Sequence, residues 1–344
     1  MSDITIFFEK HYNFLNYLSL LFAFFTTIIF IFLIIKFANK LSLIDIPNKR
    51  SMHKTIKPRG AGIAFYLSFL LTTLFFNQEF LEQNLFFFIA TFLIFLIGII
   101  DDIKGSSPKI KFIFIIIAIT LLFFTTNLKI TSLQKWFGID ISLAFPISLI
   151  FTIFAVTGYT NALNLLDGLD GLAGSIALII LLSFLYLGIR YHDNFIIYIS
   201  TIFIINIIAF LIFNWYPSKI FMGDSGSLIL GFIISILAIK LSSYISIASI
   251  LFLAALPILD TILVMSRRIK NKKSPFIADK THVHHILLKK HTKVDVTVMI
   301  LILIQANFSM LGILLSHTKN EFLFALFLFF LFLFFKYFKI ENDS

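Results

Sequence analysis

Residues 14–37 read FLNYLSLLFAFFTTIIFIFLIIKF, with Lys36 as the single charge. A run of about 20 apolar residues crosses the hydrocarbon core of a bilayer as a helix. Runs of the same kind recur along the chain, roughly at 61–76, 85–100, 112–126, 143–163, 171–189, 195–213, 226–241, 247–266, 295–316 and 322–338. The pattern predicts an all-α polytopic membrane protein of about eleven transmembrane helices. Composition agrees: of 344 residues, 59% are hydrophobic and 13% charged, half the charged share of a soluble domain. No polar stretch is long enough for a second domain, so residues 1–344 are read as one integral-membrane unit. Asp3 and Glu9 precede the first run, which therefore lacks the basic flank of a cleaved signal peptide. The absence of Cys excludes disulfides and thiolate metal sites.

Between the runs lie five polar islands: 44–62, 101–111, 161–174, 214–227 and 267–290. If every run spans, alternation places all five on one side. The 28 Lys and Arg decide which side. Only Lys10, Lys129, Lys135, Arg190, Lys240 and Lys319 fall on the opposite side, and the other 22 share the face of the islands. By the positive-inside rule the N-terminus is outside and the islands and C-terminus are cytoplasmic. The net charge of +10 is thus explained by topology, not by a nucleic-acid partner. An active site assembled from cytoplasmic loops, in contact with the lipid bilayer, is expected.

The islands carry chemistry. Asp101 and Asp102 end a span, where the helix dipole and each other's charge disfavour them; a cation or divalent metal would remove the conflict. Lys111 opens the next span, placed to meet an anionic group at the membrane surface. NALNLLDGLDGLAG (161–174) brings Asn164, Asp167 and Asp170 together with Gly168 and Gly171. These are oxygen ligands of the kind Mg²⁺ takes, although Asp170 also suits a helix cap. FMGDSGS (221–227) adds Asp224 at a helix start suited to phosphate. By spacing alone Phe221 reads as core. His282, His284 and His285 stand in a basic loop; they are too close in sequence to make a zinc site by themselves and suit phosphate oxygens better. Asp260, about seven residues inside its span, is a functional candidate whose partner the sequence does not name. Acidic oxygens for a metal, cations for phosphates and Gly-rich loops, all at a lipid interface, fit phosphoryl transfer to a lipid phosphate.

The segments DIPNKRSMH with PRGAG, DDIKG, NALNLLDGLDGLAG, FMGDSGS, PILDTILVMSRRI and HVHH, in that order over residues 45–285, resemble the polyprenyl-phosphate N-acetylhexosamine-1-phosphate transferases. Family members often have adjacent glycines where this chain has Gly60-Ala61-Gly62. The resemblance implies Mg²⁺, a UDP-N-acetylhexosamine donor (UDP-GlcNAc first), undecaprenyl phosphate as acceptor, and release of UMP, at the start of cell-surface polysaccharide synthesis in the bacterial cytoplasmic membrane; a homodimer is compatible with it. It implies Asn164 and Asp224 as Mg²⁺ contacts, Asp101 and Asp102 beside the acceptor phosphate, and Lys111 with His282, His284 and His285 on phosphates. Gly168, Leu169 and Asp170 resemble a uracil pocket on which Phe221 stacks, with Asp167 in the same loop. Lys54 and Arg59 resemble nucleotide-side contacts. The sister phospho-MurNAc-pentapeptide transferase carries three consecutive histidines where this chain has His-Val-His-His. A secondary transporter, the alternative of another class, would set its acids near the bilayer midplane, and only Asp260 does so.

Overall fold

The computed structural model describes residues 17–47, 55–272, 274, 281–291 and 293–338. These form fourteen helices and two small hairpins. The helices are α1 (Tyr17–Phe37), α2 (Gly62–Phe76), α3 (Gln78–Gln83), α4 (Leu85–Lys104), α5 (Pro108–Thr125), α6 (Ile147–Leu166), α7 (Leu172–Arg190), α8 (Asn194–Asn214), α9 (Gly223–Leu241), α10 (Ile247–Leu253), α11 (Ala255–Lys270), α12 (Val283–His291), α13 (Val294–Leu314) and α14 (Asn320–Tyr337). Strands β1 (Ile44–Asp45) and β2 (Lys57–Pro58) pair antiparallel, as do β3 (Ser132–Trp136) and β4 (Ile139–Ser142). Among the described residues nine helices are long and apolar enough to span a bilayer, and α10 with α11 makes a tenth. The protein is an all-α polytopic membrane protein.

Two of the expected spans differ in form. The segment 61–76 becomes the 15-residue α2, about 22 Å long and shorter than a typical hydrocarbon core. The segment 247–266 is not one helix: α10 and α11 meet at an 86° bend around Ala254. A break in a span leaves backbone groups that lipid cannot satisfy. Gln305 of α13 supplies them, its Oε1 accepting from Leu256 N (2.9 Å) and its Nε2 donating to Leu253 O (2.8 Å). Sequence periodicity does not register this bend, because the repair lies about 50 residues away on another helix.

The centre of the bundle is α9, buried over nearly its whole length. Small residues let its neighbours approach closely, as packing in lipid requires. A Cβ on Gly62 of α2 or Gly98 of α4 would collide with the backbone of Ser225, and one on Gly231 would lie 2.8 Å from the Thr160 Cα of α6. The outer helices turn Phe25, Phe32, Phe124, Phe154, Phe329 and other large apolar side chains outward, as a lipid-facing surface does.

The bundle has two polar ends. At one, the loops 129–143, 190–194, 241–247 and 315–320 are knit together: Gln134 Nε2 donates to Ser242 O and Ile245 O, Ser246 N to Ser316 O, and Lys240 faces Asp193 at 3.5 Å. At the other, the described parts of the five islands meet. Alternation from sequence therefore sorts the loops into the two groups that the fold assembles.

The close approach at Gly98 is testable. Gly98→Leu is expected to destabilise the purified protein by about 1–3 kcal/mol, because the Ser225 backbone cannot move aside. Gly158→Ala, on an exposed part of α6 with open space around its Cβ, is expected to be neutral or slightly stabilising. Thermal melts in detergent read both; equal melting temperatures for the two variants would reject this account of the packing.

Candidate active site

The site is built on the end of α4. Asp102 is 1% exposed, and both its oxygens are occupied by the start of α9. Oδ1 accepts from Asp224 N at 2.9 Å and Oδ2 from Ser225 N at 3.1 Å. The expected conflict with the dipole of α4 is thus relieved by the positive end of a second helix. Gly223, at φ +73°, makes the turn into α9, and a Cβ there would stand 2.6 Å from Asp102 Oδ1. Asp102 holds the FMGDSGS turn in place.

Asp101, one residue earlier, faces another way. Its Oδ1 accepts from Ser106 N (2.8 Å) and Ser106 Oγ (2.7 Å) and lies 3.0 Å from Lys111 Nζ. Lys111 also pairs with Asp224 Oδ2. One ammonium therefore bridges carboxylates from α4 and α9. Asn164 Nδ2 donates to Ser227 Oγ at 2.8 Å, which sets it one helical turn from Asp224.

A cavity of about 500 Å³ opens beside these groups. Its wall includes Asp167, Gly168, Leu169 and Asp170 from the loop between α6 and α7, and Phe221, Gly223 and Asp224 from the start of α9. Arg59 and His285 complete it from the first and last islands. The DGLDG loop and the 214–222 loop are laced together: Gly171 N donates to Asn214 Oδ1 (2.9 Å), Asn214 Nδ2 to Ile220 O (2.8 Å), and Ser218 N to Asp170 Oδ2 (2.9 Å). Asp170 therefore ties two loops and does not cap α7, whose N-cap position is Gly171. The first island closes the wall. Phe221 N donates to Pro58 O at 2.8 Å, Arg59 Nε to Asp102 O at 2.9 Å, and Lys57 Nζ to Ser218 O.

Asp167, between α6 and α7, has its carboxyl pushed up to about 8, by burial first and then by Asp224, Asp102 and Asp170. Such a crowd of acids holds a proton unless a cation replaces it. Among the described residues no three His, Cys, Asp or Glu form a ready metal cage. Mg²⁺ needs only one or two protein carboxylates and completes its shell with water and substrate phosphates. The donor set of Asp224, Asp167 and Asn164 is all oxygen on the ligating side, and Lys111 already supplies a positive charge between two of the acids. The residues fit the ion.

The histidines part company. His285 lines the cavity. His282 is buried with its Nδ1 2.7 Å from Asp260 Oδ2, so the intramembrane acid has its partner. His284 is 1% exposed, and its ring nitrogens have no hydrogen-bond partner among the described residues. Burial, and then His285 and His282, push it down to about 3, against the pull of Asp260, so it is a neutral imidazole. Lys54 lies outside the described residues. Sequence reading passed over Asp45, Lys57, Asn214, Tyr216 and Pro217, which also line the cavity. Their place inside the islands was the available signal, but only the tertiary structure shows which of them turn toward the cavity.

The profile described as glycosyl transferase family 4 matches residues 84–242. A Bacillus subtilis protein named probable undecaprenyl-phosphate N-acetylglucosaminyl 1-phosphate transferase is 30% identical over 289 residues, covering 81% of this chain and 79% of the relative. Two proteins named undecaprenyl-phosphate alpha-N-acetylglucosaminyl 1-phosphate transferase are also similar. That of Pasteurella multocida is 36% identical over 73% of each chain, and that of Thermotoga maritima is 30% identical over 80% of this chain and 83% of its own. The region matched by the profile runs from α4 to the end of α9 and so contains Asp101, Asp102, Lys111 and the two laced loops, and on the strength of relatives at least 30% identical over most of its length the chain belongs to the undecaprenyl-phosphate N-acetylglucosaminyl 1-phosphate transferase family.

Proposed function

We propose that this protein transfers an N-acetylhexosamine-1-phosphate, GlcNAc-1-phosphate in the first instance, from its UDP-sugar to undecaprenyl phosphate and releases UMP. The observation that carries the reading is the make-up of one cavity wall. Phe221, Gly168, Leu169 and Asp170 line the cavity together, an aromatic ring and apolar groups beside a carboxylate, which suits a uracil ring. Asp224, Asp167 and Lys111 stand next to it, where a diphosphate would follow. The names of the relatives supply the lipid and the sugar; residues 1–344 act as one unit. The islands face the cytoplasm of the bacterial inner membrane, with the N-terminus outside and the C-terminus inside, on the strength of the Lys and Arg distribution.

Asp224, Asn164 and Asp167 would hold Mg²⁺, which supplies charge neutralisation on the transferring phosphate. The chain's own groups do the rest. Lys111 draws the acceptor phosphate toward Asp224 and lowers its repulsion from the donor. A phosphate monoester is mostly dianionic at neutral pH, so it needs orientation more than a base. Asp101, anchored by Ser106, orients Lys111. Arg59 and His285, which also line the cavity, meet the phosphates of the donor. The lipid phosphate attacks the β-phosphorus directly, the bond to the UMP oxygen breaks, and no covalent enzyme intermediate forms.

Membranes supplied with UDP-GlcNAc, undecaprenyl phosphate and Mg²⁺ are expected to release UMP. Full turnover in EDTA, or release that does not need the lipid, would overturn the reading. Asp224→Asn is expected to cut kcat at least 100-fold, on the order of 3 kcal/mol of transition-state stabilisation. Phe221→Ala is expected to raise the donor KM while kcat stays near that of the parent, since base stacking is equal in ground and transition states; the opposite split would remove uracil from this wall. For the orientation, the absence of native Cys makes single-cysteine labelling clean. Cysteine at Ser106 is expected to be protected from an impermeant reagent in intact cells, and cysteine at Lys319 to be labelled.

A further inference from the structure

Asp260 sits in α11 beyond the 86° break, and it is 1% exposed. Its carboxylate makes two contacts with one short segment: Oδ2 with His282 Nδ1 at 2.7 Å and Oδ1 with Val283 N at 2.8 Å. Val283 is the first residue of α12, so that amide is one of the donors a helix start leaves without an internal partner. The grip on Nδ1 also fixes the imidazole, with Nδ1–H donating to the carboxylate and Nε2 left as the other ring nitrogen. Seven residues further along α11, Arg267 Nη1 donates to Thr281 O at 2.7 Å. One helix thus seats three consecutive residues, 281 to 283.

From His282 the contact runs on through rings. His282 stacks on His284 with centroids 5.6 Å apart and planes 19° apart, and His284 meets His285 at 4.3 Å and 48°. His284 is wedged against Gly168, whose position admits no Cβ because the imidazole Nε2 is already there. His285 is the histidine that reaches the cavity. A side chain buried in the bundle is therefore joined, by two hydrogen bonds and three rings, to both a cavity wall and the DGLDG loop.

We propose that Asp260 is a positioning residue for the transfer reaction: by clamping His282 and the first amide of α12 it sets the row of histidines that presents His285 to the cavity. The inference rests on the transferase reading. It separates Asp260 from the acids of the cavity, which act on phosphate or cation, and gives this carboxylate a mechanical duty. A purely apolar residue at 260 would leave the Val283 amide and the His282 ring buried without a partner.

The test is a double-mutant cycle on UMP release, using the full-length protein in membranes. Asp260→Asn keeps the volume but cannot accept from Nδ1–H through the amide nitrogen. It is expected to lower kcat about 10-fold or more with the donor KM changed less than about twofold; in a His285→Ala background the same change is expected to cost less than about a further twofold, since contacting partners are not additive. Asp260→Glu, which retains the carboxylate, is expected to recover part of the loss, and it carries the same cycle should Asp260→Asn fail to accumulate. An unchanged kcat, or a full loss repeated in the His285→Ala background, overturns the inference. A second readout needs no turnover. In Asp260→Ala membranes, carbethoxylation of His282 by diethylpyrocarbonate is expected to rise severalfold, with His317 at the opposite end of the bundle as the internal reference; an unchanged footprint overturns the clamp. A wild-type protein without UMP release would overturn the transferase reading and leave the clamp to be judged on the footprint alone.

Discussion

The carboxylate of Asp102 receiving the first amides of α9 is the contact on which the rest of the site depends. It joins the end of one membrane helix to the beginning of another, and the second is the most enclosed helix of the bundle. Opposite helix ends meet there, so one negative charge is shared by the favourable end of α9 and the unfavourable end of α4. The arrangement requires Gly223 at the turn, because any side chain would occupy the place of the carboxylate. It also requires α4 and α2 to come within backbone distance of Ser225, which Gly98 and Gly62 permit. Charge, turn and packing are one constraint.

That constraint places Asp224. Once its amide is held by Asp102, its side chain is delivered to Lys111, and Lys111 to Asp101. Two acids from two helices then flank one lysine, and Asp167 approaches Asp224 from a third element. An acid cluster so near a lipid interface would be costly to keep charged without cations. A phosphoryl-transfer site, which must gather phosphates and a divalent ion, gives that cluster a reason. The laced 161–174 and 214–227 loops keep the facing wall in register with it.

The histidine segment answers to a different part of the bundle. Its seat is α11, which the break at Ala254 turns by 86° from α10. Gln305 makes the break tolerable by satisfying both sides of it, and Asp260 passes the resulting geometry to α12. The acids and His285 thus reach one cavity from different sides of the bundle, one set through α4 and α9, the other through α10, α11 and α13, and His284 against Gly168 joins the two.

Much of this was legible in the chain. Long apolar runs fixed the fold class, since a span needs only length and apolarity. The gathering of polar islands at one end followed from alternation. The acids, amides, lysine and histidines were marked by being polar where little else is. What sequence did not carry was which atom meets which. Asp101 and Asp102 are neighbours of the same type, yet one holds a lysine and the other a helix start, because a 100° step around the helix turns them toward different elements. Asp260 could be picked out as an acid in a span, but its partner lies beyond a basic loop. Asn214 and Asp170 were polar residues in islands until hydrogen bonds between loops gave them their work. The break at Ala254 left no mark on hydropathy. Local composition determines which segments enter the membrane and which remain at its edge; the pairing of buried polar groups depends on helices brought together from distant parts of the chain, and only the tertiary structure decides it.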